Sequence, residues 1–176
     1  MIFAPSPRRI TWQAANEIAA RMPASIEPVA VFVNPAHGEV EKVRSLFPRA
    51  RLQFSGNESP QFVANYGERA IKAIHVDERG TAVSQAAGAF PYALLLFDSM
   101  RDGLAGGTGE SFAWEHIVEI ARQRPVIVAG GLTPENVGAC VERVHPFGVD
   151  VRTGIETGDR KDPAKMRAFV LAVRRR

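Results

Sequence analysis

The sequence predicts a parallel α/β protein built as a (βα) barrel, and three observations carry that expectation. Short runs rich in β-branched and aliphatic residues alternate with segments of helical spacing along the whole chain. Most of those runs are apolar at consecutive positions, as in strands covered on both faces. Their ends carry polar and glycine-rich residues in nearly every unit: FAPSPR, VFVNP, LQFSGNE, LLLFDS, VIVAGGL and VDVRTG. A barrel assembles its site from the C-terminal ends of many strands. A doubly wound open sheet, the generic alternative, gathers such residues near one switch point.

The elements follow in order. A first strand is expected over 2–4, then a helix over 12–22 with Thr11 as its N-cap. Strands are expected over 29–33, 51–54, 71–75, 93–97, 126–128 and 148–151. Helices are expected over 39–47, 60–66, 114–122, 134–143 and 163–173, most of them after Gly, Ser, Thr or Asp and often opening on proline. Helical signal over 81–88 is weaker. The sum is about seven parallel strands and seven helices in a single domain, 1–176, with no internal repeat or low-complexity linker.

Composition narrows the function classes. At 176 residues and 45% hydrophobic, the chain is long enough for one core and too short for two ordinary enzyme domains. The net charge of +3 comes from 22 basic and 19 acidic residues scattered along the sequence, so no basic stripe points to nucleic acid. The terminal Arg174, Arg175 and Arg176 read as a solvated end. A lone cysteine, Cys140, excludes an internal disulfide and fits a reducing, cytoplasmic setting. No apolar run approaches membrane-spanning length, and the start, MIFAPSPRRI, has the reverse order of a signal peptide.

Several residues could carry chemistry. Asp98 directly follows an apolar strand, where a low-dielectric edge can raise proton affinity enough for general-acid work; a helix cap or salt-bridged loop residue is the plain alternative. Gly106–Gly107–Thr108–Gly109 precedes a helix and could present backbone N–H groups to an anion, or form a surface loop. Gly130 and Gly131 join a strand to a helix, and Asp150, Arg152, Thr153 and Gly154 lie at the next strand end. Loops after the last two barrel strands commonly bind phosphate, so this pair points to a phosphorylated substrate. Arg8 could hold a second anionic group or make a surface ion pair. His37, His75, His116 and His145 have no metal-ligand spacing and read as surface or strand-end residues; Cys140, inside a helix, reads as a small buried hydrophobe. No metal is expected from that spacing.

The motifs SPRRI, VAVFVN, LQFSGNE, LLLFDS, GGTGESFAW, VAGGLTPENV, VDVRTGIE and KD, in this order, resemble the phosphoribosylanthranilate isomerase family over essentially the whole chain. The resemblance implies a TIM-type (βα)8 barrel and an Amadori rearrangement without cofactor or metal: N-(5-phosphoribosyl)anthranilate (PRA) opens its ribose ring and becomes the aminodeoxyribulose phosphate of tryptophan biosynthesis. It implies that Asp98 protonates the furanose oxygen and that Arg8 contacts the anthranilate part, with Gln53 and Asp150 also on the substrate. Gly107, Gly130, Gly131, Thr153 and Gly154 would face the phosphate.

Departures from the family pattern are specific. Ser55 stands where histidine is usual, Asn57 where an acid is common, and Arg152 where serine is usual; Glu110 and Ala113 replace lysine and aspartate. The family's opening strand and helix, roughly 30 residues that carry the general-base cysteine, have no counterpart before Met1, and Cys140 lies on a different helix. A start assigned at an internal methionine is the favoured account, with a fragment or a loss of activity as the others. Impaired turnover, and association through unpaired edges at 1–4 and 149–151, are expected from that gap. Two other readings stay open: a non-catalytic phosphate-binding barrel remnant acting through association, and a different sugar-phosphate enzyme that recruited Arg152.

Overall fold

Thr11 starts the first helix as expected, its Oγ1 accepting from the Ala14 N–H at 3.1 Å, and α1 spans Trp12–Arg21. There follow β1 (Val29–Phe32), α2 (His37–Leu46), β2 (Arg51–Phe54), α3 (Pro60–Ala64), β3 (Ala70–His75), α4 (Thr81–Ala89), β4 (Leu94–Asp98) and α5 (Ala113–Gln123). Then come β5 (Val126–Ala129), α6 (Val137–Val144), β6 (Gly148–Val149), the short strands β7 (Glu156–Thr157) and β8 (Arg160–Lys161), and α7 (Pro163–Arg174). Strands β1 to β6 are ordered as in the sequence, and β7 and β8 form a separate antiparallel hairpin. This is a computed structural model that describes residues 1–4, 6, 9–76, 80–98 and 113–174. Contacts divide the chain into two units, Met1–Ala73 with Phe90–Leu94 and Ile74–Ala89 with Leu95–Arg176.

In the first unit β1, β2 and β3 pair in parallel, with Val31, Gln53 and Ile71 in one register row and Phe32, Phe54 and Lys72 in the next. Phe32 and Phe54 stack at 5.9 Å between centroids and are buried with Val40, Val43, Leu52, Val63 and Tyr66. Each fully buried side chain of that size contributes about 1.5–3 kcal/mol. Burial on β1 and β2 alternates, so only one face is fully covered there, against the expectation of two. The polar Arg51 and Gln53 of β2 occupy the half-covered face. In the second unit β4 and β5 pair from Leu95–Val126 to Asp98–Ala129, and β5 and β6 from Ile127–Gly148 to Val128–Val149. Here burial is nearly continuous, as expected of covered parallel strands.

Three sequence expectations need correction. Residues 2–4 form a single parallel bridge, Ile2 to Val31, rather than a strand. The Ile2 carbonyl accepts instead from the Ile10 N–H, and the prolines that follow have no N–H to extend a ladder. Among the described residues six strands follow one another in the strand order, where about seven were expected. The helix expected from residue 134 starts at Val137, because the Asn136 side chain folds back: its Oδ1 accepts from the Thr133 N–H and its Nδ2 donates to the Gly131 carbonyl. The expected strand over 148–151 stops at Val149, and the hairpin beyond it has no signal strong enough to read from four polar residues. Helix α4, weakly signalled, is formed over Thr81–Ala89.

Candidate active site

The registers of the second unit bring polar residues to the C-terminal ends of its strands. Asp98 ends β4 beside Ala129, and its carbonyl accepts from the Val76 N–H at 3.0 Å. Asp150 follows β6, with its N–H on the Val128 carbonyl at 2.9 Å. The two aspartates are close enough to interact. Crowding by the strand ends, and then the negative charge of Asp98, push the Asp150 carboxyl above its ordinary value. Solvent still reaches Asp150, which limits that effect. Because its folded-state value is raised, ionisation of Asp150 costs stability, present at low pH and lost as pH rises through the folded value. Asp150→Asn is accordingly expected to stabilise the fold slightly at pH 7, by about 0.5 kcal/mol or less given solvent screening, as read by urea unfolding.

The loops after β5 and β6 are built around glycine for two separate reasons. Gly130 and Gly131 take φ of +82° and +62°, so the chain leaves β5 through a left-handed turn that other residues resist. Gly154 lies so close to its neighbour that an added Cβ would sit on the Leu132 carbonyl oxygen. The two loops are thereby packed against each other, with Thr153 exposed between them and Ile155 buried below. Gly154→Ala is expected to force them apart and to abolish inorganic phosphate binding measurable by calorimetry. Unaltered phosphate affinity in that variant would show that the loop pair is not an anion site.

The hairpin ties this region to the last helix. Lys161 donates to the Arg152 carbonyl at 2.8 Å and pairs with Glu156 at 2.9 Å. Asp162 accepts the Thr157 hydroxyl at 2.7 Å through Oδ2 and caps α7 through Oδ1, which accepts from Ala164 N–H at 2.8 Å.

In the first unit Gln53 lies on β2, half-buried, with its Nε2 donating to the Ser55 hydroxyl at 3.1 Å. Arg8 and Gly107, both expected at the site, lie outside the described residues. Cys140 is fully buried in α6 and its thiol is pushed up to about 12 by desolvation, so it has no acid–base role near neutrality. Of the histidines, His37 is exposed, as expected, and it also meets the Tyr66 hydroxyl at 2.9 Å and packs on Phe62. Among the described residues no cluster of His, Cys, Asp or Glu could hold a metal ion.

Sequence reading missed the most buried charges of the first unit. Lys72 and Glu58 pair at 3.0 Å with side chains 4% and 2% exposed. Lys72 also donates to the Phe54 and Gly56 carbonyls at 3.1 and 2.6 Å. Glu58 accepts from the Asn34 N–H at 2.8 Å and from the Gly56 N–H at 3.1 Å. Burial raises the Glu58 carboxyl, but the Asn34 N–H and Lys72 outweigh it and hold the group below its ordinary value. The available signal was a lysine inside the apolar run IKAIH.

The family model for N-(5'-phosphoribosyl)anthranilate (PRA) isomerase matches residues 1–172. The chain belongs to this family. The PRA isomerase of Desulforudis audaxviator is 41% identical over 98% of the chain and 85% of its own length. Among solved structures, the PRA isomerase of Thermotoga maritima aligns with a TM-score of 0.86 at 29% identity, covering all of this chain and 87% of that one. A PRA isomerase in complex with reduced 1-(o-carboxyphenylamino)-1-deoxyribulose 5-phosphate aligns at 0.82 and 28% identity, covering 100% and 86%. The α/β fold is thus that of the PRA isomerases, the TIM-type barrel class expected from the strand-end motifs.

Proposed function

We propose that this chain is a phosphoribosylanthranilate isomerase of tryptophan biosynthesis, opening the ribose ring of PRA and rearranging it to 1-(2-carboxyphenylamino)-1-deoxyribulose 5-phosphate. The observation that carries the assignment of roles is a pair of aspartates at the ends of β4 and β6, on either side of β5, with the packed glycine loops that follow β5 and β6. Asp98 ends an apolar strand, a position from which a carboxyl group can hand a proton to a leaving oxygen. Asp98 delivers that proton to the furanose oxygen. Asp150 contacts the substrate near the reacting carbons, Arg8 and Gln53 hold the anthranilate side, and Gly107, Gly130, Gly131, Thr153 and Gly154 receive the phosphate. No metal or cofactor enters this chemistry.

The whole chain acts as one domain, a reading supported by a family match that runs from residue 1 to 172. Its setting is the cytoplasm; no helix among the described residues is long and apolar enough to cross a membrane. Self-association through strand edges belongs to the same reading, since β6 ends the strand order with only two residues. A light-scattering mass of one chain would remove that part.

Following PRA fluorescence with this 176-residue chain, and with a form extended upstream in its own reading frame, tests the function. Turnover by the shorter form places every proton-transfer group within it, and turnover by the longer form alone assigns the C2 base upstream. If both are folded and neither acts on PRA, the proposal fails.

A further inference from the structure

The buried pair Glu58–Lys72 takes no part in the chemistry above, and stability alone is a weak reason for it. Desolvating two charges offsets most of their attraction, and apolar residues of similar volume commonly serve a fold as well. What the pair does hold is one short segment of backbone. All three protons of the Lys72 ammonium are used: on Glu58, on the Phe54 carbonyl and on the Gly56 carbonyl. Those two carbonyls flank Ser55. The Ser55 N–H is itself donated to the Phe32 carbonyl at 2.9 Å, and Glu58 fixes Gly56 from the other side. The Ser55 backbone is therefore held before, at and after the residue. Its hydroxyl in turn accepts from Gln53 Nε2 at 3.1 Å.

We infer that Glu58 and Lys72 are positioning residues for substrate recognition: they fix Ser55, and through its hydroxyl they orient the carboxamide of Gln53. The inference rests on the proposed function in one respect, that Gln53 touches the substrate. Strand alternation puts Gln53 on the opposite face of β2 from Phe54, the register partner of Lys72, so the pair works from behind and meets no ligand itself. With Nε2 turned to Ser55, the Gln53 Oε1 stands ready as an acceptor for an N–H or O–H of the substrate. Gln53 and Ser55 are both half-buried and accessible, whereas the pair is sealed. A serine where the family usually has histidine thus gains a role in this chain: a small hydroxyl relay between a rigid loop and a flexible amide.

The test is the affinity of the full chain for reduced 1-(o-carboxyphenylamino)-1-deoxyribulose 5-phosphate, the ligand of the solved relative, by calorimetry, with inorganic phosphate as a second probe. Three variants are compared: Ser55→Ala; Lys72→Met with Glu58→Gln, which removes both charges and leaves an acceptor for Asn34; and all three changes together. Each of the first two is expected to raise Kd for the analogue by about tenfold, the scale of one lost hydrogen bond. The combination should be no worse than the charge-free pair alone, because both act through the same amide. Phosphate affinity should not change in any of them. Independent, multiplying effects, or an unchanged Kd in the folded charge-free variant, would overturn the inference. Should that variant not fold, Ser55→Ala compared in the presence and absence of Gln53→Ala decides it: a loss that persists without Gln53 overturns the relay. Failure of the parent chain to bind the analogue at all is a different result, and removes the proposed function together with what rests on it.

Discussion

Asp98→Asn is expected to lower kcat/KM for PRA by about 10²–10⁴-fold, the usual scale for removing the general acid proposed here, while leaving the unfolding midpoint nearly unchanged. The substitution keeps the shape of a half-buried strand-end residue and removes only its proton chemistry and its charge. A second consequence separates this from general damage. The negative charge of Asp98 is one reason the Asp150 carboxyl lies above its ordinary value, so the variant should bring that group back towards it. An NMR titration of Asp150 reads this directly. Turnover within about fivefold of the parent, far short of what a lost proton donor costs, would take the acid role from Asp98.

Lys72→Met is expected to destabilise the fold by about 3–5 kcal/mol, because it strands the Glu58 carboxylate in a site with almost no solvent. Urea unfolding at pH 7 measures it, and adding Glu58→Gln should recover most of the loss. The pH dependence follows from the sign of the shift. Glu58 has its folded-state value below the ordinary 4.5, so in the parent it contributes stability above that value, lost as pH falls through the folded value. Without Lys72 the same carboxylate is a liability when ionised. The gap between parent and variant should therefore narrow as the pH is lowered, first as the stranded carboxylate of the variant takes up its proton and then until the pH falls through the lowered folded value of the parent. A gap that is constant with pH would mean that lost packing, not stranded charge, explains the instability.

Much of this architecture was legible because its signals are local. Alternating apolar runs and capped helices located nearly every element, and Thr11 before α1 is a cap of the expected kind. Strand-end placement likewise singled out Asp98, Asp150 and the two glycine loops. What stayed hidden depends on distant partners. Asn136 reads as an ordinary helix residue until its side chain meets Gly131, five positions earlier. Lys72 reads as a lone charge in a strand until Glu58, fourteen positions away, closes on it. His37 gave no hint of its contact with Tyr66, which is twenty-nine positions distant. No periodicity encodes pairings of that kind, since they depend on loop conformations that the strand pattern leaves open.

The β7–β8 hairpin has a kinetic meaning. Its lysine holds the Arg152 carbonyl one residue before Thr153, and the aspartate that follows it opens α7. The loop proposed to hold phosphate is consequently tethered to the start of α7, so it can be finished only after α7 has left the ribosome and coiled. During synthesis phosphate affinity would then emerge late and abruptly. In the mature protein, bound phosphate should slow hydrogen exchange along α7 through this tether, making that helix a gauge of occupancy.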